Sequence, residues 1–314
     1  MPNSYNFHNL TGFLFCFACV YDTILLLNEL KITDVITIKK IFCIITLILS
    51  VALLTACGKN ETPRHPADTT VTEPHTVTVT FPEGLTLVQI AEKLEENKVC
   101  SASEFIALTN NTQYIQALTY SFLELIENGE ERAFYLEGYI FPDTYEFYKG
   151  ESPEKALSRF LDNAEKKLTA EYRQRAEELG YTLDEIITLA SIVQEESYTN
   201  ESLKNVSSVI HNRLRSPSFP RLQCDVTIHY INDYVTDSPY LTASEGFAEK
   251  YNTYKCEGLP VGPISNPGLA CIEAALYPAE TDYYYFVTDD EWNYYYAETY
   301  AQHKANCNKV GLAG

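Results

Sequence analysis

Two neighbouring glutamates near the middle of the chain are the residues best suited to acid–base chemistry. They stand near the end of the segment TLDEIITLASIVQEES, residues 182–197. At 100° per residue its apolar side chains form one stripe, which predicts an amphipathic helix. On that helix Glu195 points to the polar face and to water, whereas Glu196 emerges beside three aliphatic side chains. Because desolvation raises the pKa of a carboxyl group, Glu196 is the candidate general acid. The alternative is a surface ion pair at a helix end.

The segments before this helix predict a small module of one strand and two helices. Apolar residues alternate with threonines from Thr76 to Phe81, which indicates a strand. Thr86-x-x-Gln89 has the pattern of a capping box at the start of a helix, and Ser101-x-x-Glu104 repeats it for a second helix. Together they resemble a LysM-like fold over residues 76–112.

The rest of the chain, residues 113–314, predicts a mixed α/β domain. Apolar periodicity predicts helices at about 153–167, 170–179, 182–197 and 201–215. The run YYYFVT, residues 283–288, has high β-propensity and predicts a strand. The overall fold class is therefore α+β, with a small N-terminal module followed by a larger domain.

The N-terminal 57 residues predict export and membrane attachment. Lys39 and Lys40 precede a short apolar run, residues 41–53, which ends in Leu-Thr-Ala before Cys57. This order resembles a bacterial lipoprotein signal, in which the cysteine becomes the lipid-bearing first residue. An uncleaved hydrophobic anchor is the alternative, and both place the later domains on the extracytoplasmic face of the cell membrane. Residues 58–75 contain three prolines and no apolar run, so they read as a flexible linker.

Charge and cysteine content argue against several other classes of protein. The chain has 23 Lys and Arg against 43 Asp and Glu, a net charge of −20, so binding to the nucleic-acid backbone is not expected. The five cysteines after Cys57 are widely spaced and contain no CxxC pair. None of His211, His229 and His303 has the spacing of metal ligands. We therefore predict no metal and no cofactor.

Six ordered blocks of this sequence closely resemble the endolytic murein transglycosylase family, also described as YceG-like. They extend from about Thr76 to the C-terminus, and they are LEGYIFPDTYEF (136–147), LASIVQEES (189–197), VSSVIHNRL (206–214), LQCDVTIHY (222–230), YNTYKCEGLPVGPISNPG (251–268) and YYYFVTD (283–289). Residues 113–314 would be the catalytic domain of that family.

The resemblance assigns roles to individual residues. The catalytic acid of the family falls on Glu196, in agreement with the helical pattern. The nearby residue Gln194 carries no carboxyl group and so cannot be the acid. Further positions would line a glycan groove, although the same residues could simply hold loops: Glu137, Gln223, Asp225, Thr227, Asn252, Thr253, Tyr254 and Gly262. The sequence also departs from the family pattern, with Val226 in place of a proline and Tyr294 in place of a histidine. Of a terminal pair of histidines only His303 remains.

The function that the resemblance implies is that of a lyase acting on peptidoglycan glycan strands. Such an enzyme cuts nascent strands internally between MurNAc and GlcNAc, leaves 1,6-anhydroMurNAc ends and terminates elongation. Family members are thought to work beside peptidoglycan synthases. Two alternatives remain open: a non-catalytic peptidoglycan-binding lipoprotein, and a muramidase-type hydrolase that would use Glu137 or Asp225 as a second carboxyl group.

Overall fold

The first strand and the two helices after it form as the sequence pattern predicts. The computed structural model describes residues 76–312, except residue 198 and residues 242–244. The predicted signal segment, Cys57 and the linker 58–75 lie outside the described residues. Strand β1 spans Thr76–Phe81, helix α1 spans Leu87–Glu96 and helix α2 spans Ala102–Thr109. The capping box at the start of α1 is confirmed, because the Thr86 side chain accepts from the Gln89 N–H and the Gln89 side chain accepts from the Thr86 N–H.

The predicted cap of α2 is wrong, although the helix itself is present. Ser101 makes no side-chain cap, and its hydroxyl instead pairs with the Ser103 hydroxyl at 2.9 Å. The hydrogen bond between the two serine hydroxyls takes the place of the predicted bond between the Ser101 hydroxyl and the backbone N–H of Glu104.

Strand β1 finds its partner far along the chain. It pairs antiparallel with β2, Asp143–Tyr148, so that Thr76 lies opposite Tyr148 and Phe81 opposite Asp143. This two-stranded sheet takes one strand from each of the two predicted domains. The ring of Phe160 packs on its inner face, 5.1 Å from the ring of Phe81 and 4.6 Å from that of Tyr145. The LysM-like assignment and its boundary at residue 112 stay predictions.

The described remainder is mainly helical and confirms the α+β class. The described residues belong to one compact unit. Its further α-helices and strands are α3 (Thr112–Gln116), α4 (Pro153–Lys167), α5 (Ala170–Leu179), α6 (Leu183–Glu196), α7 (Leu203–Arg215), α8 (Asp225–Tyr230), α9 (Glu245–Tyr251), α10 (Leu269–Leu276), β3 (Tyr285–Thr288), β4 (Tyr294–Ala297) and α11 (Tyr300–Lys309). β3 and β4 form a second antiparallel sheet, with Tyr285 opposite Ala297. Among these helices none is long and apolar enough to cross a membrane.

Helix α6 lies at the centre of this unit rather than on its surface. It packs against α5, α7, α8 and α10. The polar face expected from its sequence is buried as well, since Asp184 is 3% exposed and Thr188 is 2% exposed. Asp184 is paired there with the Arg132 guanidinium and accepts from the Tyr139 hydroxyl at 2.6 Å. The helix is present as predicted, but its polar face is covered, because these partners supply polar contacts inside the core.

Candidate active site

Glu196 is the last residue of α6 and lines an open pocket of about 390 Å³. Helices α7, α8 and α11 and strand β3 supply the other walls. The residues that line the pocket are Glu196, Val209, Ile210, Arg213, Gln223, Cys224, Asp225, Val226, His229, Phe286 and His303. The structure thus places Gln223 and Asp225, two of the residues predicted for the groove, together with the predicted acid.

The surroundings of Glu196 suit a group that must hold a proton near neutral pH. Burial, the nearby carboxylate of Asp225 and, to a smaller degree, that of Glu195 raise the pKa of its carboxyl group, which lies at about 7. The Arg213 guanidinium opposes this shift. With a pKa of about 7 the group can donate a proton and afterwards accept one under the same conditions.

Arg213 was not assigned to the catalytic machinery by the sequence, although it stands in the block VSSVIHNRL. Its guanidinium is held in place by two backbone carbonyls, those of Tyr284 and Leu222, each at 2.7 Å. The rings of Phe219 and Tyr285 lie 5.7 and 5.6 Å from it. A cation fixed in this way gives the pocket a permanent positive charge opposite its two carboxyl groups.

Thr227 and Thr253 lie beneath the pocket and are fully buried. The Thr253 hydroxyl accepts from the Cys224 N–H at 2.9 Å, and the Thr227 hydroxyl donates to the Cys224 carbonyl at 2.8 Å. The Gln223 N–H donates to the Thr253 carbonyl at 3.1 Å, and Gln223 has a left-handed backbone with φ 56. The two threonines hold this strained turn, a conformation that often marks functional sites. They present no side chain to the groove, where they were expected.

Asp225 and Tyr254 form an exposed polar pair at the rim. The Tyr254 hydroxyl donates to the Asp225 carboxylate, and 41% of Tyr254 is exposed. Burial and the Asp225 carboxylate raise the pKa of Tyr254 to about 12. The Asn252 side-chain oxygen accepts from the Tyr254 N–H at 2.9 Å and so orients that residue. These three predicted residues supply hydrogen-bonding groups of the kind that bind sugar hydroxyls.

Glu137 and Gly262 do not line the pocket, contrary to the prediction. Glu137 is fully buried, and its carboxyl group is occupied by protein donors. Gly262 is buried, and a Cβ there would lie 2.5 Å from Nε of Arg132, so the glycine makes room for the arginine. Both residues therefore have structural roles in the protein interior. A sequence pattern alone could not distinguish such a role from binding in the groove.

The position of Glu195 on the helical wheel predicts that its side chain points to water, and this prediction is wrong. Glu195 lines a second pocket of about 480 Å³ between α6, α8 and the turn that precedes α1. Burial raises the pKa of its carboxyl group. The turn approaches closely, since a Cβ on Gly84 would lie 3.1 Å from Oε1 of Glu195. Val226 and His229 border this pocket and the Glu196 pocket alike.

Tyr294, which departs from the family pattern, and His303, the histidine that remains, both lie at the site. The Tyr294 hydroxyl donates to the backbone carbonyl of Glu196 at 2.9 Å. His303 lines the pocket and stacks on Tyr285 at a centroid distance of 5.1 Å, and burial together with Arg213 lowers its pKa. Within the described part of the chain no cluster of three or more His, Cys, Asp or Glu residues could hold a metal ion.

A known protein family matches most of this chain. The model of the YceG-like family matches residues 59–309. The chain belongs to the YceG-like family. A yceG-like protein from Listeria monocytogenes, solved by crystallography, superposes with a TM-score of 0.57 at 28% identity, covering 73% of this chain and 74% of that one.

Two curated relatives of this YceG-like protein are named endolytic murein transglycosylase. The protein from Bacillus subtilis (strain 168) is 29% identical over 228 residues, and the one from Streptococcus pneumoniae serotype 2 is 29% identical over 248 residues. These alignments cover 72% and 74% of this chain. They cover 62% and 44% of the relatives, so the chain spans less than two thirds of the length of either.

Proposed function

We propose that this YceG-like protein is a lytic transglycosylase that cleaves peptidoglycan glycan strands internally. The observation that supports it most directly is the partly buried Glu196 carboxyl, whose pKa is about 7, at the base of an open polar pocket. Family membership and the two relatives named endolytic murein transglycosylase point to the same chemistry. A second pocket adjoins the first across Val226 and His229, which suits a polymer that continues on both sides of the cleaved bond.

In this mechanism one carboxyl group acts twice. Protonated Glu196 donates its proton to the oxygen that links MurNAc to GlcNAc, and the bond from MurNAc C1 to that oxygen breaks. The resulting Glu196 carboxylate then accepts the proton of the MurNAc C6 hydroxyl, whose oxygen bonds to C1. The 1,6-anhydro ring closes, no water is consumed, and the enzyme regains its initial protonation state. The Arg213 charge favours the carboxylate formed after the first step.

A hydrolase remains the second candidate because Asp225 lines the same pocket as Glu196. Ordinary glycosidases use two carboxyl groups, one of which activates water or attacks the sugar. Glu137 is less suited to that role, because it is fully buried away from the pocket. A purely binding protein would have no need of a proton-donating carboxyl in its groove.

Mass analysis of the products from nascent glycan distinguishes these candidates. The purified chain should release internal fragments that end in 1,6-anhydroMurNAc, each lighter by one water than the hydrolytic fragment. Reducing ends without the anhydro ring would overturn the lyase mechanism in favour of the hydrolase. Unchanged glycan, under conditions in which the Bacillus subtilis relative cleaves it, would favour the binding protein.

We further propose that the protein is attached to the cell membrane through lipid on Cys57. Its catalytic part would then lie on the outer face of the membrane, near the synthases that make its substrate. The proposed lipid attachment rests on the sequence of residues 39–57. A Cys57→Ala variant should accumulate as an unprocessed precursor that incorporates no labelled fatty acid. Maturation of this variant to the wild-type size would contradict lipidation and favour a different anchor.

A further inference from the structure

The buried Glu137 carboxyl accepts hydrogen bonds from three segments that are far apart in sequence. Its Oε1 accepts from the Leu87 N–H at 2.9 Å and from the Asn266 side-chain amide at 2.8 Å. Its Oε2 accepts from the Tyr230 hydroxyl at 3.2 Å. All three partners are donors, so the ionised carboxylate satisfies every one of them.

The segments that meet at Glu137 are those that form the walls around Glu196 and Glu195. Tyr230 ends α8, the helix whose Asp225 and His229 line the Glu196 pocket. Leu87 begins α1, directly after the turn that lines the second pocket.

Asn266 extends the same network to the loop that follows Gly262. Its backbone carbonyl accepts from the Gly84 N–H, and its own N–H donates to the Leu85 carbonyl, both at 2.9 Å. Its side-chain oxygen accepts from the Ile140 N–H at 2.8 Å. The turn before α1 and the 266 loop are therefore joined to each other as well as to Glu137.

Burial works against the charge of this carboxyl group and raises its pKa to about 8. When Glu137 is protonated, its O–H has one acceptor among the three partners, the Tyr230 oxygen, since a backbone N–H and an amide NH₂ only donate. The direction of the hydrogen bond to Tyr230 thus changes with the proton on Glu137. Its hydrogen bonds to Leu87, Tyr230 and Asn266 oppose this rise in pKa.

We propose that Glu137 is a positioning residue for the Glu196 pocket. It anchors Tyr230, and with it α8, so that the Asp225 carboxylate stays beside Glu196, and it does not itself touch the glycan. The inference rests on the proposed function, in which Glu196 is the acid.

The test measures the titration of Glu196 itself, which does not depend on turnover. Glutamates labelled with ¹³C at the carboxyl carbon are followed by NMR, and Glu196→Gln assigns the signal of Glu196. Other groups that act on this titration or share the pocket are left unsubstituted in every variant: Glu195 on α6, Arg213 on α7, Cys224 before α8, His229 on α8, Tyr254 at the rim and His303 on α11.

Glu137→Gln and Tyr230→Phe each weaken the same link between α8 and the core. If α8 loosens, Asp225 moves away, so the midpoint of Glu196 should fall by about half a pH unit in either variant. The double variant should show no larger shift than the stronger single one, because both substitutions remove one contact. Glycan cleavage at pH 7 should drop about twofold in each, because a midpoint half a unit lower leaves about a quarter rather than about half of Glu196 protonated. Glu146→Gln, an exposed glutamate on β2, is the matched control and should change neither quantity.

Each other result has a definite meaning. An unchanged Glu196 midpoint in folded Glu137→Gln and Tyr230→Phe would overturn the positioning role. Weaker binding of product glycan by Glu137→Gln, with turnover of bound glycan intact, would make Glu137 a glycan contact after all and would also overturn it. If Glu137→Gln does not fold, the milder Tyr230→Phe decides by the same measurement. A wild-type protein that cleaves no glycan would refute the proposed function, whereas the titration would still show whether Glu137 positions α8.

Discussion

Glycan cleavage is expected to collapse in Glu196→Gln while the fold is retained. The amide has the size and shape of the carboxyl group but can neither donate the required proton nor accept one afterwards. General acid–base groups contribute about 10²–10⁴-fold, and a residue that serves both steps should lie toward the upper end. The rate of release of anhydro-ended fragments from nascent glycan measures the effect, and the circular dichroism spectrum and melting temperature confirm folding.

The control for this experiment must be chosen from the structure. Glu195 is unsuitable, because it is partly buried in the adjoining pocket rather than exposed. Glu201 is exposed and lies just beyond the end of α6, so Glu201→Gln should keep wild-type activity. A similar loss in both variants would argue that charge in general, rather than proton transfer by Glu196, supports the reaction.

The pH dependence should identify the same group. Glu196 must be protonated in the free enzyme, so kcat/KM should be level below pH 7 and fall as pH rises through its pKa of about 7. Because the Asp225 carboxylate raises this pKa, Asp225→Asn should move the fall to lower pH. A profile that stays level to pH 9 in the wild-type protein would exclude Glu196 as the general acid.

The largest loss of stability is expected for Asp184→Ala. The Asp184 carboxylate lies inside the core, where it pairs with Arg132 and also accepts from the Tyr139 hydroxyl and from the Glu127 N–H. Its removal leaves the guanidinium buried without a counter-charge, because the Arg132 side chain is only 1% exposed. Breaking a buried pair from one side costs about 3–5 kcal/mol of unfolding free energy. The melting temperature should fall by on the order of 10 °C.

An exposed ion pair provides the comparison. Glu249 pairs with Lys255 at 3.2 Å on the surface, where both side chains are largely exposed. Glu249→Ala should change the unfolding free energy by less than about 1 kcal/mol, since such pairs contribute little. Urea titration of both variants measures the difference. Equal midpoints for Asp184→Ala and the wild type would show that the Arg132 charge finds another partner or reaches water.

Several features of this protein were determined by the sequence alone, and they share a local physical origin. The alternation in β1 and the Thr86 capping box both appear where the pattern placed them. The same holds for the extent of α6, which is confirmed to within a residue or two. The capping box and the helix depend on contacts between residues at most four positions apart, and the alternation in β1 has a period of two residues. A short window of sequence therefore contains the pattern of each. The six ordered blocks likewise indicate the YceG-like family without any knowledge of the fold.

Only the tertiary structure decided which carboxyl groups meet water and which meet one another. The periodicity of α6 placed Glu195 on a polar face, but the turn before α1 covers that face, so Glu195 lines a pocket. Glu137 stands in a block typical of the family, yet it is buried because donors from three distant segments converge on it. Arg213 enters the Glu196 pocket because two distant carbonyls orient its guanidinium. Burial and charge at a point in space depend on every element packed around it, and the spacing of residues along the chain does not contain that information.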